Sequence, residues 1–270
     1  MILISKEKQM KFKTSDHVQL DYSDVGDGHP VLLLTGIGAY KEIWQPTVTF
    51  LVQQGYRVIS LDARNQGASQ RTFKGQRMSR HALDVEELLT SLNLNEVLGI
   101  GNSMGASTLF AYASLFGAGR FKAFVDIDQS PKMIADDNWD FGFKNLTWGN
   151  FPEMLNLPFG RSTVTPVTEQ LRQMVKQTRD KHPYDSARNL AFLTDHAFQD
   201  WRDVISQLSI PLLIVVGEKS PYFNPKFAEV TANLAPQGHT AQIKNAGHIV
   251  MSEQPALFNE CLLQFMRTLM

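Results

Sequence analysis

The apolar residues of the chain gather in short runs separated by stretches of helical spacing. Residues 18–22 alternate apolar and polar side chains, the period of a strand with one wet face. Residues 31–34 form a continuous apolar run halted by Gly36, and such runs suit strands buried on both faces of a parallel sheet. Residues 43–54 predict a helix, with Gly55 as its stop. A strand over 56–61 follows, then a helix over 79–92 with Leu83, Val85, Leu88, Leu89 and Leu92 at helical spacing. Residues 96–100 predict a strand, 103–116 a helix and 121–127 a strand. The rhythm resumes late in the chain: strand 210–216, helix 225–234, strand 240–243 and helix 255–269. Alternation of this kind implies right-handed crossovers and a mostly parallel sheet.

Between these blocks the rhythm breaks. Residues 129–208 hold Trp139, Trp148, Trp201, several phenylalanines and scattered prolines. A helix over 168–178 is legible there, but no clear strand. An insertion of that size reads as a helical cap over the strand ends, where open α/β sheets bind ligands. The expected organisation is a core of residues 1–128 and 209–270 with a cap of residues 129–208.

Composition narrows the function class. A formal charge of −1 over 270 residues gives no reason to expect nucleic acid as a partner. The single cysteine, Cys261, excludes an intrachain disulfide and leans toward the cytoplasm. Residues 1–4 are too short an apolar run for a signal-peptide core, and their flanking charges follow instead of preceding. No run reaches the roughly 18 apolar residues of a membrane span. The expectation is a cytoplasmic protein that engages neither membrane nor nucleic acid.

Candidate chemistry centres on Gly101-Asn102-Ser103-Met104-Gly105, set between a predicted strand and a predicted helix. A G-x-S-x-G turn holds its serine on a sharp strand-to-helix bend, and small residues two positions away let the backbone close. The bend lifts the hydroxyl above the sheet. It also frees the next amide, that of Met104, at a helix N-terminus where an anion is stabilised.

With its context, this segment resembles the nucleophile turn of the α/β-hydrolase superfamily, and the likeness extends over essentially the whole chain. Residues 31–38 resemble the strand and glycine turn that supply the first oxyanion donor, with Thr35-Gly36 where the family often has His-Gly. Residues 61–69 resemble the family's D-x-R-G-x-G-x-S loop, with Asn65 replacing the first glycine. Asn245-Ala246-Gly247-His248, followed by Glu253-Gln254-Pro255 and Phe258, resembles the G-H segment and final helix. The resemblance implies an α/β-hydrolase fold, Ser103 as nucleophile, and the backbone amides of Ile37 and Met104 as oxyanion donors.

A serine needs a base, and His248 fits best among seven histidines, since it follows the last strand and precedes the terminal helix. His17, His29, His81, His182 and His239 read as surface or turn residues. His196, in the cap, reads as a packed histidine, with pocket lining as the alternative. No histidines lie with carboxylates or cysteine at metal-ligand spacing, so neither metal nor cofactor is expected.

The acid is open. The family most often places an aspartate where this chain has Ser220, in Gly217-Glu218-Lys219-Ser220. Asp128, directly after the strand over 121–127, is the first reading and keeps the order serine, acid, histidine. Glu218, reaching with a longer side chain, is the second. Absence of an acid, in a weak enzyme or a non-catalytic descendant, is the third. Asp126 shares a face with Asp128 but lies inside the strand, away from the crevice. Asp62 and Arg64 read as a loop-bracing pair.

Residues 128–132, with Trp139 and Gly142, resemble a bacterial subgroup of esterase-like and cofactor-free haloperoxidase-like hydrolases. An aromatic cap favours small to medium apolar acyl groups, which points to a small-molecule ester as substrate. Hydrolysis of C–C bonds in vinylogous diketone acids is the alternative suggested by Gly-Asn-Ser-Met-Gly, and a non-catalytic small-molecule sensor is the alternative outside enzymology. Serine at position 103 disfavours dehalogenation through a nucleophilic aspartate.

Overall fold

The computed structural model describes residues 8–269; the apolar run at residues 1–4 lies outside them. Eight strands form one sheet: β1 (Lys8–Lys13), β2 (Gln19–Val25), β3 (His29–Leu34), β4 (Tyr56–Asp62), β5 (Val97–Asn102), β6 (Phe121–Ile127), β7 (Leu212–Gly217) and β8 (Gly238–Ile243). Their order is β1-β2-β4-β3-β5-β6-β7-β8. From β4 onward all neighbours are parallel, and β1–β2 and β2–β4 are antiparallel. The helices are α1 (Gln45–Gln53), α2 (Met78–Ser91), α3 (Met104–Phe116), α4 (Glu169–Lys181), α5 (Ser186–Phe198), α6 (Arg202–Ser206), α7 (Phe227–Leu234), α8 (Val250–Glu253) and α9 (Pro255–Thr268). This is the α/β-hydrolase fold that the sequence predicts.

The apolar run over 31–34 shows why the sheet is buried on both faces. Its pleat sends Leu32 and Leu34 into a cluster with Leu88, Phe110 and Phe124. Val31 and Leu33 go into a second cluster with Trp44, Ile100 and Phe258 on the other face. Each such leucine contributes roughly 1.5–3 kcal/mol by leaving water. β3 lies between β4 and β5, so the connections diverge there and leave a crevice at the strands' carboxyl ends. Gly36 and Ser103 both emerge beside that crevice.

β1 went unseen in the sequence because its alternation rests on only two apolar residues, Met10 and Phe12, set between lysines. It is an edge strand, and edge strands carry such charges as protection against further pairing. His81 also departs from expectation. It is buried in α2, on the stripe that runs through Met78, Ala82, Val85 and Leu89, with its ring stacked 4.1 Å from that of Phe192. Helical spacing from Val85 and Leu89 assigns it to that face.

Between β6 and β7 the chain adds no strand to the sheet. It forms α4, α5, α6 and a 3-10 turn at Glu153–Asn156. Met133, Phe143, Leu146 and Phe192 of this insertion join the same buried cluster as Leu32 and Phe124. The insertion therefore packs on the sheet's own core and shares it. Among the described residues, no helix is long and apolar enough to cross a membrane.

Candidate active site

Ser103 links β5 to α3 with φ 54° and ψ −124°, a conformation that side chains avoid and that neighbouring structure must hold. The flanking glycines make room for it. A Cβ on Gly101 would stand 2.2 Å from the Ala106 nitrogen, and one on Gly105 would stand 2.3 Å from the Leu34 carbonyl oxygen. The turn thus needs bare backbone at both positions. Asn102, fully buried, fixes its far side: Nδ2 donates to the Ile127 carbonyl at 3.1 Å and to the His248 carbonyl at 3.0 Å.

The amide of Met104 opens α3 and so has no intrahelical acceptor. Neither it nor the Ile37 amide donates a hydrogen bond among the described residues. The loop bearing Ile37 approaches closely, since a Cβ on Gly36 would lie 3.0 Å from that of Ser103. Gln66 ties the two donor segments together. Its Oε1 accepts from the Gly38 amide, and its Nε2 lies 3.2 Å from the Met104 sulfur. Beneath this loop Lys41 pairs with Asp21 and Asp62, and Asp62 also accepts from the Lys41 amide at 2.9 Å. Arg64 instead grips Asp84 through two bonds of 2.6 and 2.7 Å and reaches Asp16 at 3.0 Å. Asp62 and Arg64 therefore brace the loop through separate partners and do not form a pair.

Asp128 follows β6 at φ 57° and is fully buried. Its Oδ2 lies 2.6 Å from His248 Nδ1 and accepts from the Ser220 hydroxyl at 2.6 Å. Its Oδ1 accepts from the Gly217 amide at 3.3 Å. Glu218 is turned elsewhere, accepting from the Asn245 amide at 3.0 Å. Asp126 accepts from the Gln129 amide at 3.1 Å and leaves its other oxygen buried without a partner. Burial, with the Asp128 charge nearby, raises the Asp126 carboxyl well above the usual range. The His248 ring packs edge-on to Tyr222 at 4.6 Å. Ser103 and His248 line one cavity; the Ser103 hydroxyl is turned to Gln129 Oε1 at 3.5 Å.

A family model of the alpha/beta hydrolase fold matches residues 29–255. The chain belongs to the α/β hydrolase fold family. A non-heme haloperoxidase from Rhodococcus erythropolis is 34% identical over 126 residues, which are 46% of this chain and 46% of that one. The chain thus matches about half the length of that relative. An esterase from Exiguobacterium antarcticum superposes with a TM-score of 0.84 at 21% identity, over 96% of this chain and 100% of that chain. A bromoperoxidase from Bacillus anthracis does so with a TM-score of 0.83 at 23% identity, over the same shares. Likeness at those identities speaks to fold.

In this α/β hydrolase the cavity above Ser103 holds about 680 Å³. Of the insertion's aromatics, Phe143 and Phe159 line it, whereas Trp139 is packed inside and Trp148 is exposed. His196 is both packed and cavity-lining, with its Nδ1 buried and without a hydrogen-bond partner among the described residues, and burial lowers its pKa to about 4. Sequence reasoning missed Glu253. Its buried carboxylate accepts from four amides: Val164 at 2.7 Å, Thr165 at 2.9 Å, Gly247 at 3.0 Å and Ile249 at 3.1 Å. The His248 amide donates to the Ser162 carbonyl at 2.9 Å. The loop that carries His248 is thereby stitched to the insertion. A charged residue five positions after His248, just ahead of the final helix, was the available signal.

Proposed function

We propose that this α/β hydrolase cleaves carboxylic esters of small to medium apolar acyl groups through an acyl-enzyme on Ser103. The observation that carries the reading is the 2.6 Å contact of Asp128 Oδ2 with His248 Nδ1, on a loop that shares its cavity with Ser103. Asp128 fixes the tautomer in which Nδ1 bears the proton and Nε2 accepts. Rotation about the Cα–Cβ bond turns the Ser103 hydroxyl from Gln129 to Nε2. The oxygen attacks the ester carbonyl as His248 takes its proton. The oxyanion accepts from the Ile37 and Met104 amides, each donor worth roughly 3 kcal/mol to the transition state. His248 then protonates the departing alkoxide. Water, deprotonated in turn by His248, releases the carboxylic acid and restores Ser103. Phe143, Phe159 and Leu193 give the cavity an apolar wall suited to an acyl chain.

The test is turnover of p-nitrophenyl acetate and butyrate by wild type and Ser103→Ala. The variant is expected to lose activity by roughly 10³-fold or more. A fluorophosphonate is expected to label the wild type at Ser103. Equal rates in the two proteins, or no labelling, would overturn the reading.

A further inference from the structure

The cavity carries charge of one sign. Arg161, from the loop before α4, and Arg172, Lys176 and Arg179 of α4 line it, and no aspartate or glutamate does. Steps of four and three place the helix cations on one stripe. The adjacent stripe of Leu171 and Val175 faces the same cavity. All four cations are exposed, whereas Met133, Phe143 and Leu193 of the lining are buried. The cations therefore stand at the solvent-facing mouth and the apolar wall lies deeper.

Two of them have partners outside the lining, Arg172 with Glu169 and Lys176 with Asp180, at 2.7 and 2.6 Å. Both pairs are exposed, and exposed pairs hold their charges weakly. Arg161 and Arg179 form no ion pair among the described residues. Glu42, behind α4, accepts from the Thr178 hydroxyl at 2.9 Å and does not line the cavity. In a chain of net charge −1, two uncompensated cations at the mouth of an apolar-walled cleft focus a field that draws anions.

We propose that the site takes esters bearing a carboxylate at the end remote from the scissile bond, half-esters of dicarboxylic acids being the simplest. This rests on the ester-hydrolase reading above. The scissile carbonyl lies at Ser103, the methylene body runs along Phe143 and Leu193, and the carboxylate meets Arg161 and Arg179. At the mouth the carboxylate keeps part of its hydration, so pairing avoids the desolvation cost of a buried ion pair.

Monomethyl and dimethyl adipate share a skeleton and differ in charge. Wild type is expected to hydrolyse the monoester with at least about tenfold higher kcat/KM at low salt, with the gain in KM. That preference is expected to collapse when salt rises from about 0.02 M to about 0.5 M. It is also expected to fall about tenfold in the double variant Arg161→Gln/Arg179→Gln. Calorimetric titration of Ser103→Ala with each adipate reads the charge preference without hydrolysis. Hydrolysis of both esters with the same ratio in wild type and double variant would overturn the anion site and leave the hydrolase reading standing. Tighter binding of the monoester by Ser103→Ala, with neither adipate ester nor p-nitrophenyl acetate or butyrate hydrolysed by wild type, would overturn the ester-hydrolase reading and support the anion site.

Discussion

Ser220 donates its hydroxyl proton to Asp128 Oδ2, the same oxygen that faces His248 Nδ1, each at 2.6 Å. Ser220 stands where the resemblance leads one to expect an aspartate. The carboxylate that meets His248 stands instead at the neighbouring strand end, and the residue at the usual position donates a hydrogen bond to it.

Asp128→Asn is expected to lower kcat/KM for p-nitrophenyl butyrate by roughly 10²–10⁴-fold, since an amide no longer stabilises the imidazolium. Asp126→Asn is expected to change it little, because burial already favours the uncharged Asp126 carboxyl and asparagine keeps an acceptor for the Gln129 amide. Side-by-side kinetics decide. Equal losses would mean that the two carboxylates act as one unit.

Ser220→Ala removes one hydrogen bond to a carboxylate, about 1.5 kcal/mol, and about tenfold in kcat is expected to follow. The exchange Asp128→Ser/Ser220→Asp returns a carboxylate to the same crevice from β7. It is expected to be more active than Asp128→Ser alone. An exchange no better than the single variant would show that the β6 position is the one that works.

Glu253→Gln replaces an acceptor of four amides with a group that presents an NH₂ to some of them. A loss of about 2 kcal/mol in urea unfolding is expected. Protease cleavage within residues 162–165 is expected to rise at the same time, because the stitch to the His248 loop is cut. Unchanged cleavage there would remove that role from Glu253.

His196 supplies a pH dependence. A histidine ordinarily takes its proton near pH 6.5, and burial holds His196 at about 4. As pH falls through 6.5 the unfolded chain binds a proton that the folded chain refuses until about 4. The stability this group contributes is whole above pH 6.5 and is lost between 6.5 and about 4, roughly 3 kcal/mol in all. Phe at position 196 keeps the ring's bulk without the proton. Urea midpoints measured at about pH 7 and about pH 4.5 are expected to differ less in His196→Phe than in wild type. His81, also lowered by burial, leaves a residual slope of the same sign.

The core elements were legible because both periods are local. The pleat of residues 31–34 and the spacing of Val85, Leu88 and Leu89 report burial without reference to anything distant. β1 was not legible, since an edge strand need bury only one side and Met10 and Phe12 alone carry its apolar phase. α5 was obscured by its composition, and its placement comes from Phe192 stacking on His81, a contact between residues more than a hundred positions apart. Likewise Asn102 and Gln66 stood inside recognised segments, but their partners, the His248 carbonyl and the Gly38 amide, lie on other loops.

The order of residues alone set the alternation of strands and helices and the turn at Ser103 with its two bare flanking positions, and it left the acid open. These follow from backbone sterics and side-chain period, which act over a few residues. Long-range packing brings Asp128 to His248 while Glu218 turns to Asn245, sets Ser220 against the carboxylate, and lets Glu253 join the His248 loop to the insertion. Hydrogen bonds of this kind depend on where strand ends come to lie side by side. Sheet order sets that, and sheet order is fixed by the packing of the whole chain.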